Sequence, residues 1–393
     1  MEENSEKPGF GNIIALGLVS FFTDFSTEMI LGLLPVFIVE ELGGSRVIVG
    51  LIEGIAEFLN YLFRVFSGVI SDILGIRKKI VLLGYAVSNF SKPLFAFTNT
   101  WTQALVVRSM DRVGKGIRTP ARDALLSESA KKEMLGRAFG IHRTLDQMGA
   151  IVGPALASLL LPLIYFRGVF LASLIPGLAA LLILLFFVKE VRRPTAEKQN
   201  VLSNVKEVLY GGYRIFLVIV ALFTVGSYGF SFILLRARMS GVEVAAIPLL
   251  YASLNIAHTI AGVPSGILAD KIGGIKTLVL AYMLFSASSL LAGLCGLTVY
   301  VSILVAVIYG VYLGMLETVQ RALVSNLSQP RIRATAYGVY YLVVGCFTLV
   351  ANVLFGFLWD SYGMTAAFIY STIISLVSAT LLLAAANTIM REG

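Results

Sequence analysis

The chain has 393 residues, of which 57% are hydrophobic and 14% charged, too little polar material to cover a water-facing surface of that size. A formal charge of +8 would point a soluble protein toward nucleic acid, but in so apolar a chain the placement of the charges between hydrophobic runs is what counts, and no nucleic-acid partner is expected. The two cysteines, Cys295 and Cys346, sit in apolar runs far from any His or Cys neighbour, which argues against a disulfide framework or a metal site and leaves them as small core residues.

Met1 to Lys7 carry three Glu and one Lys, so the basic start of a cleavable signal peptide is lacking and no segment is expected to be removed. Beyond it, apolar runs long enough to span a bilayer, about 20 residues each, recur along the whole chain. Twelve spans are predicted, at approximately 12–40, 47–71, 79–98, 102–126, 134–162, 166–188, 213–237, 244–269, 276–297, 299–325, 334–359 and 364–388. The one long polar segment, Lys189 to Tyr210, contains Arg192, Arg193, Pro194, Lys198 and Lys206 and divides the chain into a bundle over 1–188, a linker over 189–212 and a second bundle over 213–393.

Basic residues alternate from loop to loop. Arg77, Lys78 and Lys79, then Lys131 and Lys132, then the linker, then Lys271 and Lys276, then Arg331 and Arg333 mark one face, whereas Arg46, Arg167, Arg236 and Arg238 are the exceptions on the other. The positive-inside tendency places the even-numbered loops, the linker and both termini in the cytoplasm.

The halves also repeat each other at one constant offset. Gly68, Ser71, Asp72, Gly75, Gly116, Ala124, Leu125, Ser127 and Gly140 recur 198 residues later as Gly266, Ala269, Asp270, Gly273, Gly314, Ala322, Leu323, Ser325 and Gly338. An ungapped match that includes the Asp pair and crosses three spans indicates duplicated parallel halves.

The run Gly68-x3-Asp72-x2-Gly75-x-Arg77 and its copy Gly266-x3-Asp270-x2-Gly273 resemble the cytoplasmic-loop motif of the major facilitator superfamily. Physically, Gly68 would admit a neighbouring helix, Asp72 would accept from a helix N-terminus or a basic side chain, and Gly75 would turn the chain tightly. The resemblance implies a latch between the two bundles; an ordinary basic loop is the plain alternative. Arg112-x3-Gly116 is similar to the family's fourth-helix element, associated there with proton transfer. Gly140-x8-Gly149-x3-Gly153-Pro154 resembles its antiporter motif, with Ala157 and Ser158 where a glycine pair is usual. The alternative there is that small residues permit close packing and Pro154 bends the helix. The resemblance implies an all-α membrane protein of twelve transmembrane helices in two pseudo-symmetric six-helix bundles, working as a monomer without a cofactor.

Ionisable groups near a bilayer centre cost roughly 2.5–3.5 kcal/mol each on insertion scales, so they persist when paired or facing a polar cavity. The first span places Asp24 and Glu28 on one face; the second aligns Glu53, Glu57, Asn60 and Arg64; the fourth aligns Arg108, Arg112, Lys115 and Arg122 beside Asp111; the fifth adds His142, Arg143 and Asp146. A polar core inside the first half is the expectation, with Arg112 paired to Asp111 or Asp146. Asp24 and Glu28 are the candidates for loading and releasing a proton or touching substrate. Such a core could equally be a set of structural ion pairs. In the second half His258, Glu317 and Arg321 are sparser, and Glu317 can pair with Arg321 one turn away. Phe21, Phe22, Phe25, Tyr228, Phe230, Phe232 and Tyr251 could line a cleft, although packing is the commoner role of aromatic residues in lipid.

These residues point to proton-coupled export of a small amphipathic or drug-like compound across the cell membrane by alternating access, with protons and a small molecule as partners in the lipid bilayer. One alternative is an organic-anion carrier using Arg108, Arg112, Arg143 and Lys115. Another is a membrane receptor or enzyme on this scaffold, for which no metal cluster, nucleophile elbow or phosphate loop speaks.

Overall fold

The computed structural model describes residues 9–131, 134–191, 208–329 and 331–391, without the side chains of residues 72, 73 and 391. Lys132, Arg192, Arg193, Pro194, Lys198, Lys206 and the carboxylate of Asp72 therefore lie outside the described residues. A chain in lipid must satisfy its backbone within each segment, and the described elements are helices without a strand among them. They are α1 (Gly9–Leu31), α2 (Arg46–Leu74), α3 (Arg77–Ser91), α4 (Trp101–Ser129), α5 (Leu135–Ala172) and α6 (Leu174–Phe186), then α7 (Gly211–Gly226), α8 (Phe230–Met239), α9 (Ile247–Ile272), α10 (Gly274–Leu294), α11 (Val299–Asn326), α12 (Arg333–Tyr362) and α13 (Met364–Ala384). Short helical turns at Leu34–Val36, Phe37–Glu41 and Lys92–Phe97 prolong α1 and α3.

Nine helical segments among the described residues are long and apolar enough to cross a membrane, one of them the 52-residue stretch Leu135–Phe186. That stretch holds both α5 and α6, and the charged helices α2 and α4 are outside the nine, which is consistent with twelve spans.

Local chemistry explains where the helices break. Thr100 caps α4 by accepting from the Gln103 amide while the Gln103 side chain accepts from the Thr100 amide, satisfying two donors that have no intrahelical partner. Within α5, Tyr165 adopts φ 56°, so the helix breaks between the fifth and sixth expected spans. Arg167 follows at once and donates to the carbonyls of Ala96 (2.8 Å) and Thr98 (3.0 Å), closing the end of the Lys92–Phe97 turn. Gly75 and Gly273 both take positive φ, 63° and 93°, as the loop motif requires of a turn that a Cβ would strain.

The chain divides into two compact units. Unit 1 comprises Met1–Leu33 and Leu59–Lys198, and unit 2 comprises Leu34–Phe58 and Gln199–Gly393. Within unit 2 the segment 34–58 is tied to the rest by Glu40 accepting from Arg238 Nε (2.7 Å) and by the Val47 amide donating to Asp360 (2.9 Å).

Inside each unit the repeat reappears as packing. A Cβ on Gly116 would meet the Asn60 carbonyl of α2 at 2.6 Å, and one on Gly314 would collide with the His258 carbonyl of α9. Both partners shift by the same 198 residues. Gly68 and Gly266 also match, because a Cβ added to either would lie 3.7 Å from its neighbour, Pro120 or Thr318. That spacing is ordinary contact, so close approach rests on Gly116 and Gly314 and not, as expected from the motif, on Gly68.

Candidate functional site

The polar core of unit 1 is built by helices brought to backbone contact. A Cβ on Gly149 of α5 would overlap the Phe21 carbonyl of α1, one on Gly153 would come within 2.6 Å of the Phe25 carbonyl, and one on Gly114 of α4 would sit 2.6 Å from the Gly84 carbonyl of α3. Gly140 has nothing within 4 Å. Only the later part of the antiporter-like motif, Gly149 and Gly153, therefore packs helices, and the helix it packs against is the one carrying Asp24 and Glu28. Pro154 lies buried inside α5, next to Gly153.

Three groups of charges result. In the first, Asp111 accepts from Ser88 Oγ (2.7 Å) and Arg108 Nη1 (3.1 Å), with Arg112 Nε at 3.5 Å. One carboxylate thus serves two guanidinium groups, all three side chains being buried. In the second, a serine relays between helices. Ser20 Oγ donates to Asp146 Oδ1 (2.6 Å) and accepts from Arg122 Nη1 (3.3 Å), while Arg143 Nη1 binds Asp146 Oδ2 (3.0 Å) and Arg122 Nη2 binds Asp123 (2.8 Å). His142 is buried one turn before Asp146, and its Nε2 makes no hydrogen bond among the described residues.

The third group is held loosely. Asp24 approaches Arg118 Nη2 at 3.8 Å, an ion pair too long for a hydrogen bond. The Arg118 guanidinium lies 4.3 Å from the Tyr85 ring centroid, the residue is 2% exposed, and its Nε and Nη1 make no hydrogen bond among the described residues. Beside it Lys92, 1% exposed, donates to Asn89 Oδ1 (2.7 Å), Thr27 Oγ1 (3.0 Å) and the Thr23 carbonyl (3.2 Å). Three neutral oxygens thus take the three ammonium protons, two of them from α1.

Asp24, Arg108, Asp111, Arg112, His142, Arg143 and Asp146 all lie in unit 1, distributed over the three groups above. Arg112 pairs with Asp111, whereas Asp146 takes Arg143 on its own helix in place of Arg112. Glu28 is buried, and Lys115 and Arg64 are half-buried. Glu57 falls in the 34–58 segment and so belongs to unit 2. Lys92 and Arg118 were missed as candidates. The available signals were a lysine inside the apolar third span and an arginine three residues after Lys115 and four before Arg122 on the charged stripe.

In unit 2, Glu317 bridges His258 Nε2 (3.8 Å) and Arg321 Nη2 (3.3 Å) near the surface. Arg236 is fully buried without a carboxylate among its described partners. Its guanidinium donates to the carbonyls of Ala292 (2.7 Å), Cys295 (3.1 Å) and Gly296 (3.3 Å) and to Ser302 Oγ (3.1 Å), a positive cap on the C-terminus of α10. Tyr228, Phe232 and Tyr251 are buried among aromatic neighbours, which gives them a packing role. In the loop motifs, Arg77 contacts Ser71 (2.5 Å) and Glu128 (3.5 Å).

The whole chain has relatives of the same architecture. The model of the Major Facilitator Superfamily matches residues 16–256 and 215–388. An uncharacterized MFS-type transporter of Methanocaldococcus jannaschii is 37% identical over 385 residues, 95% of this chain and 94% of the relative. The multidrug resistance protein MdtG of Proteus mirabilis is 29% identical over 206 residues, half of each chain. A crystal structure of a mutant of the nucleoside transporter NupG superposes with a TM-score of 0.82 at 13% identity, covering 95% of this chain and 99% of its own, a likeness of fold. This chain is a multi-pass membrane transporter and belongs to the Major Facilitator Superfamily.

Proposed function

We propose that the protein is a proton-coupled exporter of small amphipathic or drug-like organic compounds, working by alternating access between bundles 1–188 and 213–393 joined by the 189–212 linker, in the cell membrane with both termini cytoplasmic and as a monomer. The observation that carries the coupling is the contrast among the acids of unit 1. Asp111 and Asp146 each accept two hydrogen bonds, whereas Asp24 accepts none among the described residues and stands 3.8 Å from Arg118. Protonating either of the first two would break charge-assisted bonds, and at Asp111 it would also strand the buried guanidinium groups of Arg108 and Arg112. Protonating Asp24 breaks one long contact. Arg118 then loses its counter-charge, which gives α1 and α4 two discrete arrangements that a proton selects between. The partial likeness to a multidrug resistance protein supports the drug-like substrate class.

A second reading is favoured by Arg118 itself. Of the four bases named at first for an organic-anion carrier, Arg108, Arg112, Arg143 and Lys115, the three arginines are engaged with Asp111 and Asp146, whereas Arg118 has two donors with no hydrogen bond among the described residues. An anionic substrate group could complete it.

The test is transport in liposomes that hold a pH-sensitive dye, with tetraphenylphosphonium and benzoate as probes and Asp24→Asn, Arg118→Gln and wild type compared. Proton movement that follows the cation and vanishes in Asp24→Asn supports the exporter. Benzoate flux that survives Asp24→Asn, carries no proton and is lost in Arg118→Gln supports the anion carrier and ends the coupling assignment.

A further inference from the structure

Apart from the charged core, unit 1 carries a groove at the end where α1 begins and α6 finishes. It has a volume of about 450 Å³ and is walled by Gly11, Ile14, Ala15 and Leu18 of α1 and by Ile183 and Phe187 at the end of α6. Asn12 and Lys189 complete its lining, Lys189 at the rim. The backbone of Lys189 is fixed there, because its amide donates to Asn12 Oδ1 (2.8 Å) and its carbonyl accepts from Asn12 Nδ2 (3.3 Å), which also donates to Ser129 Oγ (2.6 Å). The side chain is exposed, and its ammonium has no hydrogen bond or ion pair among the described residues.

The surroundings are basic. Arg77 and Lys78 bind Glu190 through their amides, Arg137 lies over the Phe10 ring and Lys131 follows two residues after Ser129, and of the described acids here Glu190 is engaged by those amides and Glu128 by the Arg77 side chain. Among the described residues no carboxylate is left for Lys189.

We infer that this groove binds an anionic glycerophospholipid, with an acyl chain against the apolar walls and the phosphodiester at Lys189. The volume lies in the range of small-molecule sites, roughly 300–1,000 Å³, yet the walls offer no cluster of polar groups to orient a soluble ligand. A single cation above apolar walls, where two membrane-spanning helices end, matches an amphiphile whose charge sits at the headgroup level. A free phosphate would gain one contact and lose its hydration.

The test uses the purified, delipidated full chain and native mass spectrometry, with phosphatidylglycerol and phosphatidylcholine offered in equal amounts. Three variants accompany the wild type. Lys189→Gln removes the rim charge. Gly11→Phe fills the groove, since a Cβ at Gly11 meets nothing within 4 Å. Lys131→Gln removes a basic residue of the same end that does not line the groove. The expected result is preferential retention of phosphatidylglycerol, reduced roughly fivefold by Lys189→Gln, abolished for both lipids by Gly11→Phe and unchanged in Lys131→Gln. Equal retention of the two lipids, or equal losses in Lys189→Gln and Lys131→Gln, would overturn the assignment in favour of a diffuse basic rim. Displacement of the lipid by inorganic phosphate would overturn it in favour of a phosphate site.

Discussion

At the offset of 198, α4 of unit 1 and α11 of unit 2 align Arg108 with Ala306, Asp111 with Tyr309, Arg112 with Gly310, Arg118 with Leu316 and Arg122 with Gln320. Five charges on one helix have uncharged counterparts on the other, although Gly116 and Gly314 press against the equivalent carbonyls of Asn60 and His258. Unit 1 fills the interior of this frame with shared carboxylates and guanidinium groups. Unit 2 fills it with rings: Tyr228 lies 4.4 Å from Phe355 and 5.0 Å from Phe285, and Tyr309 Oη donates to the Tyr228 carbonyl at 2.7 Å. Since an aromatic core suffices for the frame in unit 2, the charges of unit 1 are not needed to hold it. Buried charge is costly to keep, and among the described residues all of it except Glu53 and Arg236 belongs to unit 1, in keeping with the coupling role proposed for that unit.

Substitutions at equivalent positions sharpen that contrast, and the largest effect is expected at Asp111. Asp111→Ala leaves Arg108 and Arg112 buried without their counter-charge, at a cost of about 3–5 kcal/mol, read as a fall in the thermal unfolding midpoint in detergent. Its counterpart Tyr309→Phe removes one hydrogen bond and should cost only about 1 kcal/mol. Equal losses at the two positions would break the comparison.

The next effect tests the frame itself. Gly149→Ala drives a methyl into the Phe21 carbonyl and should destabilise by about 1–3 kcal/mol through overpacking, whereas Gly140→Ala, in open space, should leave the midpoint unchanged or raise it slightly. A loss at Gly140 would mean that the whole motif, and not its later part, packs helices.

The smallest effect is expected in unit 2, where Glu317→Gln removes an ion pair whose side chains are 37% and 51% exposed. Such pairs contribute about 0–1 kcal/mol, so the midpoint should hardly move. A drop as large as that of Asp111→Ala would place a second essential charge cluster in unit 2.

Much of the fold was legible because its signals are local. Apolar runs of spanning length located the helices, the Gly75 and Gly273 turns followed from the repeated motif, and the break between the fifth and sixth spans fell at Tyr165. The residues that form the polar core were also visible as charges in apolar helices. Their partners were less so. The Asp111–Arg112 pair was expected and found, but Asp146 is tied to Ser20, 126 residues away in sequence, and Lys92 is solvated by oxygens of α1 up to 69 residues away. No spacing rule on one helix reveals such partners.

The sequence by itself determined that this is a duplicated helical membrane transporter with most of its interior charge in one half, because composition, span length and a constant repeat offset are properties of the chain alone. Only the tertiary structure decided which acid is firmly held and which is loose. That outcome depends on how far each helix is rotated toward its neighbours and on where glycines such as Gly149 and Gly153 let backbones touch, and both are set by packing between segments distant in the chain.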